Sequence, residues 1–285
     1  MKQRLASLAL LAVAASWGLT FVTMKDALNR QSVNSFLFYR FAIAAIVLLI
    51  VHPQIIRKLN WDVIKHGGIP GLFLGAGFIV QTYGLHMTTA AVTGFITGLY
   101  VVATPLFEQI FGGKRLGLMV WISIAIATTG LALLSLHGAR IGLGEFLVLL
   151  CALFYTGQII GLSKWSAGRD VWTMTFVQIL VVAIMTGIAS LIEGFQSPPD
   201  SGVWGVILFT ALVCTVTAFI VQTWSQAIIE STKAAVIMTM EVVFSALFAV
   251  WIGGEVLSTR TLIGGLLVVI SMYTIVFHES KPVHD

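Results

Sequence analysis

The chain has 285 residues, of which 58% are hydrophobic and 10% charged, with a mean hydropathy of +0.98. Soluble domains carry roughly 25% charged residues, and no soluble core hides this much apolar surface, so the composition excludes an ordinary water-soluble protein and points to lipid as the solvent. The net charge of +4 comes from basic residues thinly spread through short loops, unlike the clustered footprint of a nucleic-acid binder.

Ten apolar segments follow in chain order, at residues 5–24, 35–51, 68–86, 92–111, 117–136, 145–163, 171–192, 203–225, 234–252 and 260–277. Each is near the ~20 residues that a spanning helix needs, and the loops between them leave no room for a soluble domain. Lys2 and Arg4 ahead of the first segment give it the form of a secretory signal, but a matching segment in the second half makes it a spanning helix. Residues 52–65, with Lys58 and Trp61, read as a short stretch along the inner membrane surface. Ser197-Pro198-Pro199-Asp200-Ser201-Gly202 is turn material. Cys151 and Cys214 lie inside apolar runs with neither CxxC nor disulfide spacing and read as small hydrophobes.

The second half repeats the first. Shifted by 141 residues, Phe78-Ile79-Val80-Gln81-Thr82 falls on Phe219-Ile220-Val221-Gln222-Thr223, and 13 of the 39 positions from 78 to 116 are identical. Val101-Val102 then meets Val242-Val243, and Gly112-Gly113 meets Gly253-Gly254. Segment one aligns with segment six, and Arg40 of segment two stands opposite Gln178 of segment seven. Each half therefore holds five helices, 1–138 and 139–285. An odd number forces the halves to enter the membrane from opposite sides, so the expected fold is an all-α membrane protein of ten transmembrane helices in two inverted repeats. Where the copies differ, they differ in chemistry: Tyr100 matches Glu241, and Lys114 matches Glu255. Lys and Arg set the orientation. With the amino terminus inside, 11 basic residues fall in the inner segments and four (Lys25, Arg30, Arg140, Arg260) in the outer ones, which predicts an inner-membrane protein with both termini cytoplasmic.

The stretch Gly94-Phe95-Ile96-Thr97-Gly98-Leu99-Tyr100-Val101-Val102-Ala103-Thr104-Pro105-Leu106 resembles the fourth helix of EamA-like members of the drug/metabolite transporter superfamily. Met240-Glu241-Val242-Val243-Phe244-Ser245-Ala246-Leu247-Phe248, followed by Gly253-Gly254-Glu255, resembles the ninth. The resemblance runs over nearly the whole chain. It implies a carrier of small organic solutes, commonly an exporter of amino acids or related metabolites, working by alternating access around a central cavity. The pattern departs in two places. The family pattern usually has Pro directly after the ninth-helix Glu, where Val242 stands, which removes an expected kink; and Gly113-Lys114 stands where the pattern often has Gly-Glu or Arg-Glu.

Ionisable residues deep in a bilayer cost a few kcal/mol each and mark functional sites. Arg40, Glu108 and Glu241 qualify. Glu241 lies about seven residues into its segment, roughly 10 Å of helix. There it either faces a cavity, binding a cationic group or a coupling proton, or makes a structural hydrogen bond to a neighbouring helix. Arg40 is expected to snorkel to the outer surface, the alternative being an anion-binding group. Glu108 is expected to pair at the inner interface with Lys114 and Arg115. Trp17, Tyr39, Gln81, Tyr83, Tyr100, Tyr155, Gln222 and Trp224 join Glu241 as expected substrate-binding residues, because a pocket for an amphipathic metabolite needs ring faces and orienting amides and hydroxyls. Gly71/Gly75, Gly94/Gly98 and Gly157/Gly161 recur at four-residue spacing and predict close helix packing.

No HExxH, GxSxG or P-loop is present, and the His residues sit at helix ends and tails, so neither an enzyme, a cofactor nor a metal site is expected. Any uphill transport then draws on an ion gradient. The expected function is a secondary transporter exporting a small metabolite such as an amino acid, facilitated or proton-coupled, with the lipid bilayer as its surroundings. A multidrug or lipid-precursor carrier of the same architecture, a channel and an intramembrane enzyme are the rivals.

Overall fold

Polar side chains at the water boundary start the helices. Asn60 Oδ1 accepts from the Val63 amide, Thr89 Oγ1 from Val92, Asp170 from Thr173 and Asp200 from Val203, each satisfying an amide that has no partner inside its own helix. The computed structural model describes residues 2–112, 117–137, 140–229, 234 and 237–279. The helices are α1 (Lys2–Leu28), α2 (Val33–Val51), the short α3 (Ile55–Lys58), α4 (Trp61–Met87), α5 (Ala90–Thr97), α6 (Tyr100–Gly112), α7 (Leu118–Ser135), α8 (Leu143–Trp165), α9 (Val171–Glu193), α10 (Ser201–Ala211), α11 (Ala218–Gln226), α12 (Met240–Trp251) and α13 (Thr259–Glu279). A two-residue antiparallel ladder, Leu136–His137 with Arg140–Ile141, links the halves.

Among the described residues, seven stretches are long and apolar enough to cross a membrane: Gln3–Leu28, Val33–Val51, Trp61–Met87, Ala90–Phe107, Leu143–Trp165, Val171–Glu193 and Ser201–Gln226. Trp121–Leu134, Met240–Trp251 and Thr259–Thr274 are shorter apolar helices. The polarity is that of a protein in lipid: Ile50, Ile188, Leu191, Ile192, Leu247 and Trp251 are exposed, whereas Gln81, Gln158, Gln178 and Gln222 are buried. The chain is an all-α, multi-pass membrane protein.

Two details depart from the expected segments. The stretch expected along the inner surface is shorter, because Asn60 caps α4 at once and Trp61 to Lys65 belong to the spanning helix. The eighth segment is not one regular helix: Leu212–Thr217 form a π-helical turn between α10 and α11, in which Thr217 Oγ1 donates to Leu212 O five residues back.

Small residues let helix axes approach, as the glycine spacing predicted. A Cβ on Gly130 would stand 2.7 Å from Gly264 O, and one on Gly264 3.0 Å from Gly130 O, where α7 packs on α13. Gly71 faces Gln178 of α9, and Gly94 faces Ser245 of α12. Polar groups sort to the two ends. Arg30 binds Asp26 and Asp200, each at 2.5 Å. On the same side Lys25 Nζ donates to Thr88 O at 2.6 Å, Thr88 Oγ1 donates to Glu145, and Glu255 accepts from the amides of Ala90 and Ala91. Lys58 pairs with Asp170 and Arg169 with Asp62 at the other end.

Candidate functional site

The fourth segment is broken in its middle. Gly98 and Leu99 form a turn between α5 and α6, with Gly98 at φ −58°, ψ −15°. At the matching place in the second copy, Thr239 turns the chain ahead of α12 with φ −64°, ψ −16°. The bonds match too: Val101 N donates to Gly98 O at 3.2 Å, and Val242 N donates to Thr239 O at 3.0 Å. Val242 in place of Pro therefore does not straighten the ninth segment; a tightened turn supplies the break without it. Tyr100 and Glu241 are the residues at corresponding places just past the two breaks, and both line one central cavity.

That cavity has walls from both copies. Trp17, Thr20 and Phe21 come from α1, Arg40 from α2, Leu74, Phe78 and Gln81 from α4. Tyr100 comes from α6, Tyr155, Gln158 and Ile159 from α8, Phe219 and Gln222 from α11, and Met238 and Glu241 from the ninth segment. The repeated motif meets itself here. Phe78 and Phe219 are in edge contact with ring centroids 6.1 Å apart, and one helical turn on from each, Gln81 and Gln222 turn their amides the same way. Gln81 Nε2 donates to Thr97 Oγ1 at 3.0 Å; Gln222 Nε2 reaches Met238 Sδ, at the position matching Thr97, at 3.7 Å. Tyr155 Oη donates to Gln81 Oε1 at 2.9 Å, completing a polar chain on the first side. On the second side Gln222 Oε1 has no partner among the described residues, and neither has the buried Tyr100 hydroxyl.

The charges are two. Glu241 is 7% exposed, and its carboxylate has no hydrogen-bond or ion-pair partner among the described residues. Arg40 is 1% exposed. It does not snorkel: its side chain turns inward, where Nε donates to Thr215 Oγ1 at 2.8 Å on the π-helical turn. Its guanidinium lies 4.9 Å from the Phe78 ring centroid and 5.2 Å from that of Phe41. Trp17 Nε1 donates to Cys214 O of the same turn at 2.9 Å, so the π-helical turn offers acceptors to two cavity residues. Such turns expose carbonyls that a regular helix would consume and gather at functional sites.

Of the nine expected binding residues, Trp17, Gln81, Tyr100, Tyr155, Gln222 and Glu241 line the cavity; Tyr39, Tyr83 and Trp224 do not. Tyr83 and Trp224 each stand two residues past a cavity-lining Gln, about 200° round the helix, and face away. Tyr83 Oη donates to Glu193 and accepts from Asn34. Tyr39 packs on Phe195 and Trp204, with centroids 5.5 and 5.4 Å away. The side chains of Glu108, Lys114 and Arg115 lie outside the described residues. Gln158, Thr215, Phe78 and Phe219 were not singled out from sequence; the last two were legible as the residues one turn before the repeated Gln.

The EamA-like transporter family matches the chain twice, over residues 4–136 and 142–277. An uncharacterized transporter of Archaeoglobus fulgidus is 30% identical over 95% of this chain and 86% of its own length. The uncharacterized transporter YoaV of Bacillus subtilis is 24% identical, covering 96% of this chain and 97% of its own. The pseudopaline exporter CntI of Pseudomonas aeruginosa is 23% identical, covering 92% and 93%. A crystal structure superposes with a TM-score of 0.70 at 16% identity, over 97% of this chain and 99% of that one, a likeness of fold. With both halves matched and the relatives named as transporters, the chain is a membrane transporter, not an enzyme, and belongs to the EamA-like transporter family.

Proposed function

We propose that this transporter is a secondary carrier of the inner membrane that exports a small polar metabolite, with amino acids as the leading class, by alternating access. Its ten helices form two inverted five-helix halves, 1–138 and 139–285, and both termini are cytoplasmic. The observation that carries the proposal is the cavity between the copies, which holds one buried cation and one buried carboxylate among aromatic and aliphatic side chains and three glutamines.

Helix contacts support the two-half reading, because they survive exchange of the halves. α4 packs on α8 as α11 packs on α1; α5 and α6 pack on α8 as α12 packs on α1; α4 packs on α9 as α10 and the π-helical turn pack on α2. The pairs α2 with α9, α5 with α12 and α7 with α13 map onto themselves. Sorting of the ion pairs to two ends supports the alternation of spans, and the excess of Lys and Arg in the loops on the Lys58 and Arg169 side supports its orientation. The outer end of α5 is pinned by Lys25 and Glu255, contacts that must release when the carrier opens outward. A free volume of about 50 Å³, room for a few waters or the polar end of a compact solute, favours a small metabolite over a multidrug or lipid-precursor substrate.

Glu241 is the proton-coupling group in this scheme, since it is buried without a partner among the described residues and faces the cavity. In proteoliposomes loaded with an amino-acid mixture, acidifying the exterior accelerates efflux by the wild-type protein. Glu241→Gln keeps the shape and loses the titration, so its efflux is indifferent to the gradient. Gradient-stimulated efflux equal to wild type in the Gln variant removes the proton role.

A further inference from the structure

We infer that Arg40 is the anion anchor of the cavity, and that the solute carried is one whose carboxylate docks on its guanidinium. The inference rests on the transporter reading and adds a requirement to it, namely that the acid group, rather than the amine or the side chain alone, decides selection.

A guanidinium has five N–H donors. Among the described residues Arg40 has one acceptor at full strength, Thr215 Oγ1 at 2.8 Å; Cys214 O and Met24 Sδ are 3.5 Å away. Hydrogen bonds to oxygen run at 2.7–3.2 Å, and thioether sulfur is a weak acceptor. Arg40 has no salt bridge among the described residues, and Glu241, on the same cavity, is not paired with it. Buried charges are ordinarily paired; here the opposite charges stand apart on one cavity. The surroundings fix the guanidinium: Thr215 holds Nε, and the Phe78 and Phe41 rings lie against it. Two poorly occupied NH groups at a fixed orientation match the bidentate geometry of a carboxylate. A role confined to stapling α2 to the π-helical turn needs only Nε, and a neutral donor would serve.

The test uses purified full-length protein in detergent. Thermal shift against the twenty amino acids selects the strongest binder, which is then compared with its carboxamide, its decarboxylated amine and its des-amino acid. Wild-type protein is expected to bind the amino acid about 10–100-fold more tightly than the carboxamide or the amine, the range for one charge-assisted contact. The des-amino acid retains measurable binding. In Arg40→Gln the amino acid and its carboxamide bind within about threefold of each other, a change too small for a charge-assisted contact; Arg40→Lys, which keeps the charge, preserves the preference at lower affinity and serves if the Gln variant does not fold. Equal wild-type affinity for amino acid, carboxamide and amine overturns the anchor and leaves the carrier standing. Wild-type protein that binds none of the panel and shows no counterflow in proteoliposomes overturns the amino-acid reading and the anchor together.

Discussion

Thr215→Val tests whether the π-helical turn holds Arg40. The hydroxyl is fully buried and accepts from Arg40 Nε at 2.8 Å, and the next acceptor, Cys214 O, is 3.5 Å from the guanidinium. Valine matches threonine in shape, so no cavity opens and the loss isolates the bond. A hydrogen bond to a charged group contributes about 1.5–3 kcal/mol, and removing one partner leaves a buried N–H without an acceptor. Thr175→Val is the control. Its hydroxyl is equally buried but donates to a neutral partner, Thr223 Oγ1, at 3.1 Å, a bond of about 1 kcal/mol. Reversible unfolding of both variants in mixed detergent micelles should show Thr215→Val costing roughly twice what Thr175→Val costs. Adding Arg40→Gln to Thr215→Val should then reveal a coupling of at least ~0.5 kcal/mol between the two sites. A Thr215→Val loss no greater than that of the control, with no coupling, refutes the claim that the turn positions the arginine.

Gly94→Ala forces a Cβ against the Ser245 side chain, whose own Cβ would be 2.6 Å away; overpacking of this kind costs about 1–3 kcal/mol, read as a lower unfolding midpoint, and Ser245→Gly in the same chain recovers most of it. Asp200 is held below the usual carboxylate range, first by the Val203 amide that it caps and then by Arg30. Its folded value is the depressed one, so its contribution is complete above its unfolded value of about 3.9 and is lost as pH falls through the lower folded value. The difference in melting temperature between wild type and Asp200→Asn should therefore stay flat from neutral pH to about 4 and shrink below it; a difference that persists unchanged to pH 3 contradicts the assignment.

The spans and the repeat were legible because lipid leaves a simple record: apolar runs of bilayer length, and duplicated residues in register. Helix rotation was not. α2 is apolar almost all round, so nothing in its pattern says whether Tyr39 or its neighbour Arg40 points inward, and the answer comes from Thr215 of another helix. The same ambiguity attended Gln81 and Tyr83, yet there a clue existed. Phe78 and Gln81 lie three apart and recur as Phe219 and Gln222, which puts the duplicated pair on one face and Tyr83 and Trp224 on the other. The π-helical turn at Leu212–Thr217 contains neither Gly nor Pro, the residues that signal an irregularity in sequence. The break at Thr239 is equally silent, having ordinary right-handed dihedrals and no proline.

Duplication explains why the cavity has its shape, and divergence explains why it is chemically uneven. Both copies break their fourth helix at the same register and swing a Phe and a Gln toward the middle. In the first copy the Gln is answered by Thr97 and Tyr155, so both ends of its amide are taken. In the second, Met238 stands in for Thr97 as the partner of Nε2, but among the described residues no donor takes the place of the Tyr155 hydroxyl, so Gln222 Oε1 is unanswered, and a carboxylate lines the cavity where the first copy has a tyrosine. A buried polar group left unpaired costs about 1–3 kcal/mol, and among the described residues the cavity carries three, Gln222 Oε1, the Tyr100 hydroxyl and the Glu241 carboxylate, together with an arginine whose two terminal nitrogens have only 3.5 Å contacts. A packing role would have replaced them with apolar residues at a gain in stability. Arg40 and the Tyr100 hydroxyl come from first-copy helices and Gln222 and Glu241 from second-copy ones, which fits a site whose missing partners arrive with the solute, acid group toward Arg40 and positive end toward Glu241.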